Sequence, residues 1–188
     1  MVRKDILQDR KIVCGVTGGI AAYKTAELVS DMAQRGADVT VIMTESALRF
    51  VTPLTFQTLS HNPVITSLWE DRDPSKPIHI SIAETAELIV IAPATANVIG
   101  KIASGLADDM LTCTVMACSA PVIIAPAMND IMYNNRFVQR NIRELKKAGM
   151  VFVGPEKGRL ASGKVGWGRM SDPANILRVI EDALKKTR

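Results

Sequence analysis

Aromatic side chains are scarce in this sequence of 188 residues: Phe, Tyr and Trp make up 4% of it, although 47% of the residues are hydrophobic. A core with so few aromatics must be packed from Ala, Val, Ile, Leu and Met. Continuous aliphatic runs of this kind favour a parallel sheet buried on both faces over a sandwich of alternating strands. The length suits one continuous core, so we expect a single domain over residues 1–188.

The sequence also lacks the signals of membrane and nucleic-acid binding. No apolar run approaches the roughly 18 residues that a membrane helix needs, and residues 1–5 lack the apolar core of a signal peptide. The net charge of +4 is spread along the chain, and no basic block is interleaved with aromatics. We therefore expect a cytoplasmic protein whose partners include neither a membrane nor nucleic acid.

Cysteine is rare as well. The chain has three cysteines, Cys14, Cys113 and Cys118, each in apolar sequence surroundings. An odd number in such surroundings indicates reduced, buried thiols and not a disulfide framework. The same cysteines do not form a metal-ligand pattern, so no metal site is expected.

Strand-like aliphatic runs alternate with segments of helical period. Strands are predicted at residues 11–16, 38–43, 87–92, 121–125 and 150–153, and helices at 20–35, 130–148 and from Asp172-Pro173 onward. Gly36 and Gly149 follow the first two helices, where glycine favours termination. The alternation predicts right-handed βαβ units in an α/β fold with an open, doubly wound parallel sheet. Residues 71–77 and the Gly-rich residues 154–168 are predicted to be loops.

Small and polar residues follow three of the predicted strands, where doubly wound folds bind ligands. They are Gly18, Gly19 and Ile20 after the first strand, Thr44 and Ser46 after the second, and Thr95, Ala96 and Asn97 after the third. Glycines at a helix N-terminus let backbone N–H groups approach an anion, and Thr17 adds a hydroxyl. The first segment matches neither GxGxxG nor GxxxxGK[ST], which disfavours a dinucleotide or P-loop site. The convergence of the first two strand ends instead suggests a mononucleotide phosphate. A tight turn without a ligand is the alternative for this segment.

Three longer motifs resemble those of the homo-oligomeric flavin-containing cysteine decarboxylases. Residues 93–97 (PATAN) with 100–109 (GKIASGLADD) resemble the flavin-binding motif of that family, and residues 126–133 (PAMNDIMY) resemble its substrate-recognition motif. Residues 159–170 (RLASGKVGWGRM) resemble the substrate-clamping segment of the branch that acts in coenzyme A biosynthesis. Two positions depart from the family pattern: Tyr133 replaces the usual Trp, and Ser162 stands where the family has Cys.

This resemblance implies a flavodoxin-like or Rossmann-like α/β domain, an FMN cofactor, and homotrimers that in some members assemble into dodecamers, with active sites at subunit contacts. It implies 4′-phosphopantothenoylcysteine as the small-molecule substrate, 4′-phosphopantetheine as the product, and a fused or separate phosphopantothenoylcysteine synthetase as a partner.

The resemblance also assigns roles by position. The implied FMN-phosphate residues are Gly18, Gly19, Ile20, Thr44 and Ser46, and the implied flavin residues are Thr95, Ala96, Asn97 and Ala127. The implied substrate-binding residues are Met128, Asn129, Ala161 and Gly163, with Asn129 on the substrate carboxylate. The implied catalytic residues are His79 and Ser162.

Several of these residues have other interpretations as well. An imidazole titrates near pH ~6.5, so His79 can accept a thiol proton, but a lone histidine is more often a surface or structural residue. The amide of Asn129 can bind a carboxylate, or it can cap the helix predicted from Asp130, or both. Met128 and Met132 either pack in the core or shape the flavin pocket.

Ser162 bears on the second half of the implied reaction. That reaction oxidises the CH2–SH group of the substrate to a thioaldehyde, loses CO2 to give an enethiol, and reduces the enethiol with reduced flavin and a proton. The family assigns this proton to the cysteine that Ser162 replaces. A hydroxyl is a far poorer acid than a thiol, whose pKa is about 8.5, so we predict that the reaction stalls at the enethiol. An engineered variant and a natural homologue are both compatible with Ser162.

Three rival functions stay open. A peptidyl-cysteine decarboxylase of the lantibiotic type shares the flavin and Asn129 motifs and releases enethiols, but the match over residues 159–170 favours the coenzyme A branch. A flavin prenyltransferase is disfavoured by residues 126–133. A non-catalytic regulatory or redox flavoprotein that has lost its acid at Ser162 would bind FMN without releasing CO2.

Overall fold

The computed structural model describes residues 5–69 and 77–186. Within these ranges a main sheet has five parallel strands, β1 (Lys11–Val16), β2 (Asp38–Met43), β3 (Leu88–Ala94), β4 (Val122–Pro126) and β5 (Val151–Phe152). Their order is β2-β1-β3-β4-β5, so the strand order reverses between β1 and β3. This is the flavodoxin-like arrangement of a doubly wound sheet, and the predicted fold class is confirmed.

The aliphatic runs form strands because both faces of the sheet are covered. Every residue of β3 and of β4 is buried. Alternate positions of β1 point to opposite sides, with Ile12 and Cys14 in one core cluster and Val13 in the other. β1 and β2 have the predicted bounds, while β3, β4 and β5 differ from the prediction by one or two residues at each end.

Helices cover the two faces of the sheet. They are α1 (Ala22–Gln34), α2 (Pro53–Ser60), α3 (Ile78–Thr85), α4 (Ala96–Ala103), α5 (Met110–Ala117), α6 (Asp130–Asn134), α7 (Arg136–Lys147) and α8 (Pro173–Lys186), with a short 3-10 turn at Ala47–Arg49. The buried faces of α1, α2 and α8 belong to one core cluster. Those of α4, α5 and α7 belong to the other. Among these helices, α2 to α5 lie in segments for which the sequence predicted no element.

The prediction of a single helix over residues 130–148 is wrong, because the structure has two helices there, α6 and α7. The chain is extended at Asn135 (φ −63°, ψ 133°), which separates α6 from α7. The side chain of Asn135 accepts a 2.9 Å hydrogen bond from the Phe137 N–H, so it caps α7. Gly149 follows α7 with a φ of +91°, and Gly36 follows α1 with a φ of +84°, which confirms both predicted helix ends.

The loop predicted over residues 154–168 is wrong too. Much of it forms an antiparallel hairpin of β6 (Glu156–Arg159) and β7 (Val165–Arg169). The sequence did not reveal these strands because glycines alternate with Val165, Trp167 and Arg169, which leaves no continuous apolar face. The hairpin lies directly before α8, whose residues Ile176, Leu177, Ile180 and Leu184 are buried as predicted.

The cysteines are only partly as predicted. Cys14 is buried, but Cys113 and Cys118 are partly exposed because they lie on the outer part of α5 and just after its end. All three are free thiols. Burial raises the pKa of the Cys14 thiol to about 12, so this thiol stays protonated at neutral pH.

Two further sequence predictions concern the loop at residues 71–77 and membrane-spanning helices. The predicted loop at residues 71–77 lies, except for Pro77, outside the described residues. No helix in the described ranges has the length and apolar character required to span a bilayer.

Candidate active site

A cavity of about 800 Å³ opens where β1, β3 and β4 end. Its wall is built by the β1–α1 turn, the start of α4, the β4–α6 loop and the β6–β7 hairpin. The lining residues are Gly18, Gly19, Ile20, Ala21, Tyr23, Lys24, Thr95, Ala96, Ala127, Met128, Asn129, Met132, Arg159, Leu160, Ala161, Ser162, Gly168, Arg169 and Met170. A volume of this size suits a cofactor-sized ligand, and the position is the switch point of the sheet.

The Thr17 hydroxyl ties the ends of β1 and β3 together. It donates a 2.6 Å hydrogen bond to the carbonyl oxygen of Pro93 and accepts one of 3.1 Å from the Thr95 N–H. The side chain is 1% exposed. The expectation that Thr17 offers its hydroxyl to a bound anion is therefore wrong, because the fold uses and buries that group.

Gly18 lies in close contact with the segment that follows β2. A Cβ added at Gly18 would overlap the side chain of Ser46, so only glycine lets the two segments approach this closely. The Thr44 N–H donates a 3.0 Å hydrogen bond to the Val16 carbonyl oxygen, which ties the same segments together. Thr44 and Ser46 thus lie next to the β1–α1 turn, although they are not among the cavity-lining residues.

The β3 end contributes small residues to the cavity wall. Thr95 caps α4, since its hydroxyl accepts a 3.4 Å hydrogen bond from the Val98 N–H. Thr95 and Ala96 line the cavity together with Ala127. Together with Gly18 and Gly19 they form a wall without bulky side chains, next to the N-terminus of a 13-residue helix, α1. A flat ring with a phosphate group fits such a wall.

Asn129 both caps a helix and lines the cavity. Its side-chain oxygen accepts a 2.9 Å hydrogen bond from the Ile131 N–H at the start of α6. This bond orients the amide, so that its NH2 group is the part left to serve a ligand. The two interpretations of Asn129 are therefore compatible in one geometry.

The hairpin lies closely on the β4–α6 loop through two glycines. The Met128 N–H donates a 3.0 Å hydrogen bond to the Gly168 carbonyl oxygen. A Cβ added at Gly166 would lie 2.9 Å from the Asp130 Cβ, and one at Gly168 would overlap the Met128 carbonyl oxygen. The GxG pattern of β7 thus has a physical reason, which is close approach to the loop that carries Asn129.

The hairpin turn holds Ser162 at the cavity. The Leu160 N–H donates a 2.8 Å hydrogen bond to the Lys164 carbonyl oxygen, and the Gly163 N–H one of 2.9 Å to the Leu160 carbonyl oxygen. Gly163 has a φ of +82°, which closes the turn. Ala161 and Ser162 are exposed on this turn and line the cavity, whereas Gly163 does not.

The cavity wall includes cations that the sequence analysis did not single out. Lys24 Nζ and Arg169 Nη2 both donate to Asp172 Oδ1, at 2.9 and 2.7 Å. These two bonds hold the pKa of the Asp172 carboxyl below its usual range, and the bond from Lys24 has the larger effect. Arg159 and Arg169 were within reach of sequence analysis, since both belong to the segment at residues 159–170. Lys24 had no such signal beyond its place in the first turn of α1.

Besides Thr44, Ser46 and Gly163, two more predicted site residues do not line the cavity in the single chain. His79 is half-buried near the start of α3, a helix that packs against α5. Asn97 is exposed at the second position of α4. Neither belongs to the cavity wall formed by the described residues. Their roles, and those of the other site residues named from the sequence, stay predictions.

Metal ligands were not expected. Within residues 5–69 and 77–186, no group of three or more His, Cys, Asp or Glu side chains is arranged to hold a metal ion.

The sequence pattern of the Flavoprotein family matches residues 3–185. This chain belongs to the Flavoprotein family. It is 53% identical over 176 residues to the coenzyme A biosynthesis bifunctional protein CoaBC of Bacillus subtilis (strain 168), covering 94% of this chain and 43% of CoaBC. It is 45% identical over 171 residues to CoaBC of Escherichia coli (strain K12), covering 91% of this chain and 42% of that protein. The chain thus spans less than half the length of these relatives.

Solved structures match almost the whole chain. A Cys-to-Ser mutant of a PPC decarboxylase in complex with pantothenoylaminoethenethiol matches with a TM-score of 0.82 and 31% identity, covering 96% of this chain and 98% of that one. The FMN-binding protein AtHal3 matches with a TM-score of 0.83 and 31% identity, covering 95% and 98%. The FMN-dependent cysteine decarboxylase SpaF matches with a TM-score of 0.82 and 28% identity, covering 96% and 98%. The family resemblance inferred from the motifs is confirmed.

Proposed function

We propose that this chain is an FMN-dependent decarboxylase that acts on 4′-phosphopantothenoylcysteine in cytoplasmic coenzyme A biosynthesis. The observation that carries the proposal is the cavity in which the Gly18-Gly19 turn, Asn129 and Ser162 share one wall. The CoaBC relatives and the solved PPC decarboxylase support the substrate. The CoaBC relatives are bifunctional, and the part of them beyond the matched 43% has room for a second enzyme. This supports a synthetase, fused or separate, as the partner that provides the substrate.

The residues at the switch point fit FMN. Gly18 and Gly19 place no side chain over the backbone at the start of α1, where the Gly19 N–H itself donates a 2.9 Å hydrogen bond to the Thr17 carbonyl oxygen. Thr44 and Ser46 lie beside this turn, and Thr95, Ala96, Asn97 and Ala127 are candidates for the ring. When bound, FMN supplies a two-electron acceptor for oxidation of the substrate CH2–SH group and a donor for the later reduction. We expect the protein to bind FMN tightly. Gly18→Ala should lose this binding, and Gly100→Ala should keep it. The first Cβ would collide with Ser46, whereas the second meets its nearest atom at an ordinary 3.6 Å.

The chain's own polar groups orient the substrate. The Asn129 amide donates a hydrogen bond to the substrate carboxylate without a strong ion pair, which leaves that group free to depart as CO2. Met128 and Ala161 line the cavity, and Gly163 follows Ser162 on the hairpin turn, so these three residues are candidates for contacts to the rest of the substrate. The hairpin also excludes water from the reacting carbon.

His79 is the candidate base that accepts the thiol proton, and it acts on a substrate bound to a neighbouring copy of the chain. In one chain it does not line the cavity, so a base at this position must come from a second subunit. We infer a homotrimer, alone or within a dodecamer. A random equimolar mixture of His79→Asn and Asn129→Ala chains should regain activity at about one quarter of all sites in cyclic trimers, because those sites combine two intact residues. Absence of any recovery would contradict the shared site.

Ser162 is expected to stop the reaction halfway. The Cys-to-Ser mutant of PPC decarboxylase was solved in complex with pantothenoylaminoethenethiol, an enethiol. By the motif resemblance, Ser162 occupies the position of the family cysteine. Its hydroxyl is too weak an acid to deliver the last proton at neutral pH. We therefore infer oxidative decarboxylation to the enethiol, with the flavin left reduced.

Anaerobic mixing of the FMN-loaded protein with 4′-phosphopantothenoylcysteine tests this function. The expected result is persistent bleaching of the flavin absorption together with one CO2 per site, and neither in Asn129→Ala. Release of CO2 from a peptide with a C-terminal cysteine, but not from the phosphopantothenoyl substrate, would favour a peptidyl-cysteine decarboxylase. FMN binding without CO2 from either substrate would favour a non-catalytic flavoprotein.

A further inference from the structure

We propose that Lys24, Arg159 and Arg169 form a cationic wall that binds the phosphate of the substrate and selects phosphorylated over unphosphorylated pantetheine compounds. The inference rests on the proposed function, because it names the determinant of substrate class in the same cavity. The motif resemblance places Arg159 and Arg169 in a substrate-clamping segment, but it gives neither of them, nor Lys24, a role toward the phosphate.

The charge of the cavity wall is one-sided. Three cations line it, and among the described residues no Asp or Glu does. Lys24 and Arg169 form ion pairs with the Asp172 carboxylate, which does not line the cavity. A wall with this excess of positive charge favours a ligand that carries several negative charges, as a phosphate ester does.

Lys24 and Arg169 share a single acceptor. Both bind Oδ1 of Asp172, so one carboxylate faces two cations and one positive charge is left uncompensated. Only Nη2 of Arg169 is used in this pair, and the other guanidinium donors are available to a ligand. Because Asp172 already holds the guanidinium, less side-chain entropy is lost when a phosphate binds it.

The path of the Arg169 side chain depends on a glycine in the opposite strand. A Cβ added at Gly158 would lie 3.0 Å from Cδ of Arg169. The arginine stem thus crosses the hairpin over Gly158 on its way to Asp172. This is a positioned side chain and not a freely moving surface arginine.

Arg159 supplies a cation without a partner. It ends β6 beside the hairpin turn, opposite Val165, and it has no carboxylate within ion-pair distance among residues 5–69 and 77–186. The hairpin therefore carries Arg159 near its turn and Arg169 near its base, on the segment that covers the cavity. A phosphate bound between hairpin and α1 would join the two sides of the cavity.

The phosphate of FMN is the rival ligand for the same charges. The glycine turn at the start of α1 already provides a backbone site for that phosphate, one that needs no side-chain cation. The two sources differ in a measurable way, since loss of an FMN contact weakens FMN binding and loss of a substrate contact does not.

Calorimetric titration of the FMN-loaded protein with 4′-phosphopantetheine and with pantetheine tests the inference. We expect the parent to prefer the phosphorylated ligand by roughly tenfold or more, as for one or two charge-assisted hydrogen bonds. Arg159→Gln and Arg169→Gln should each reduce this preference several-fold. Lys157→Gln is the matched control, because it removes one positive charge from the same hairpin at an exposed position outside the cavity wall.

Two results would overturn the cationic wall. One is an equal loss of affinity for both ligands, which indicates a structural role for the arginines. The other is weaker FMN binding in Arg169→Gln with an unchanged preference for the phosphorylated ligand. The readout is independent of turnover, so a retained preference without CO2 release would support the wall and contradict the proposed decarboxylation.

Discussion

The backbone N–H of Met128 donates a 3.0 Å hydrogen bond to the carbonyl oxygen of Gly168. The bond joins the loop that carries Asn129 to the hairpin that carries Ser162. Gly168 has a φ of +148°, and a Cβ there would overlap the Met128 carbonyl oxygen. The relative position of the two substrate-binding segments therefore depends on a residue without a side chain.

Gly168→Ala should separate the hairpin from the β4–α6 loop. We expect a loss of stability of about 1–3 kcal/mol, from backbone strain and the clash with Met128, and at least a tenfold loss of CO2 release. Chemical denaturation and single-turnover CO2 assays measure the two effects. Gly149→Ala is the matched control, since Gly149 has a φ of +91° but open space around it. It should lose stability alone, and an equal loss of activity in both variants would contradict the docking role.

Ser162→Cys should allow the second half of the reaction. A thiol near the enethiol can supply the proton that a hydroxyl holds too tightly, so the variant should form 4′-phosphopantetheine and reoxidise its flavin. Product analysis by mass spectrometry and flavin absorbance follow both events. Ser162→Ala should behave like the parent, with CO2 released and the flavin left reduced. Equal product formation by the parent and Ser162→Cys would disprove the stall.

Thr17→Val should destabilise the protein more than Thr25→Val. The Thr17 hydroxyl bonds two backbone groups, of Pro93 and Thr95, while the Thr25 hydroxyl donates a single 2.7 Å hydrogen bond to the Ala92 carbonyl oxygen. Both side chains are buried, so each lost partner leaves an unpaired group that costs about 1–3 kcal/mol. Urea unfolding of the two isosteric variants measures the difference. Equal free energies of unfolding would show that the second bond contributes nothing.

Asp109→Asn should lose a stabilisation that depends on pH. Burial raises the pKa of this carboxyl, but its hydrogen bonds with the Thr112 N–H, Lys101 and the Thr112 hydroxyl outweigh burial and hold the folded-state pKa below its usual value. Stability from such a depressed pKa is present above the unfolded-state pKa of about 3.9 and is lost as pH falls through the folded-state value.

Asparagine caps helices as well as aspartate does, so the variant isolates the charge. Near neutral pH the parent should be more stable by about 0.3–1 kcal/mol, and the difference should vanish in acid. Urea unfolding across the acidic range measures it. A difference that does not change with pH would assign the effect of Asp109 to packing instead.

Prediction from sequence worked best where the signal was local. Residues 11–16 and 38–43 form strands with the predicted bounds because their aliphatic runs are short, rich in β-branched residues and ended by glycine or polar residues. The helix predicted over residues 130–148 failed at Asn135, since its apolar period continues across a residue whose side chain caps a new helix. The hairpin after residue 154 was missed because its strands pair with each other and bury mainly glycines.

The candidate site divides in the same way. The β1–α1 turn and the PATAN segment were predicted to be ligand-binding because small residues at strand ends converge in a doubly wound sheet. The PAMN segment was predicted through its resemblance to the substrate-recognition motif of the family. Lys24 was not predicted to belong to the site, since its ion pair with Asp172 joins residues 148 positions apart. The Thr17 hydroxyl was misassigned because its two backbone partners lie in β3 and just after it.

The sequence by itself determined the parallel sheet, the family and the switch-point site, because burial and turn formation depend on patterns within a few residues. Only the tertiary structure decided which of the named residues share a cavity. It sets His79 apart from Asn129, brings Lys24 and Arg169 to one carboxylate, and docks the hairpin on the Met128 loop through Gly168. These contacts join distant parts of the chain, and their geometry is defined only once the sheet and its helices have packed.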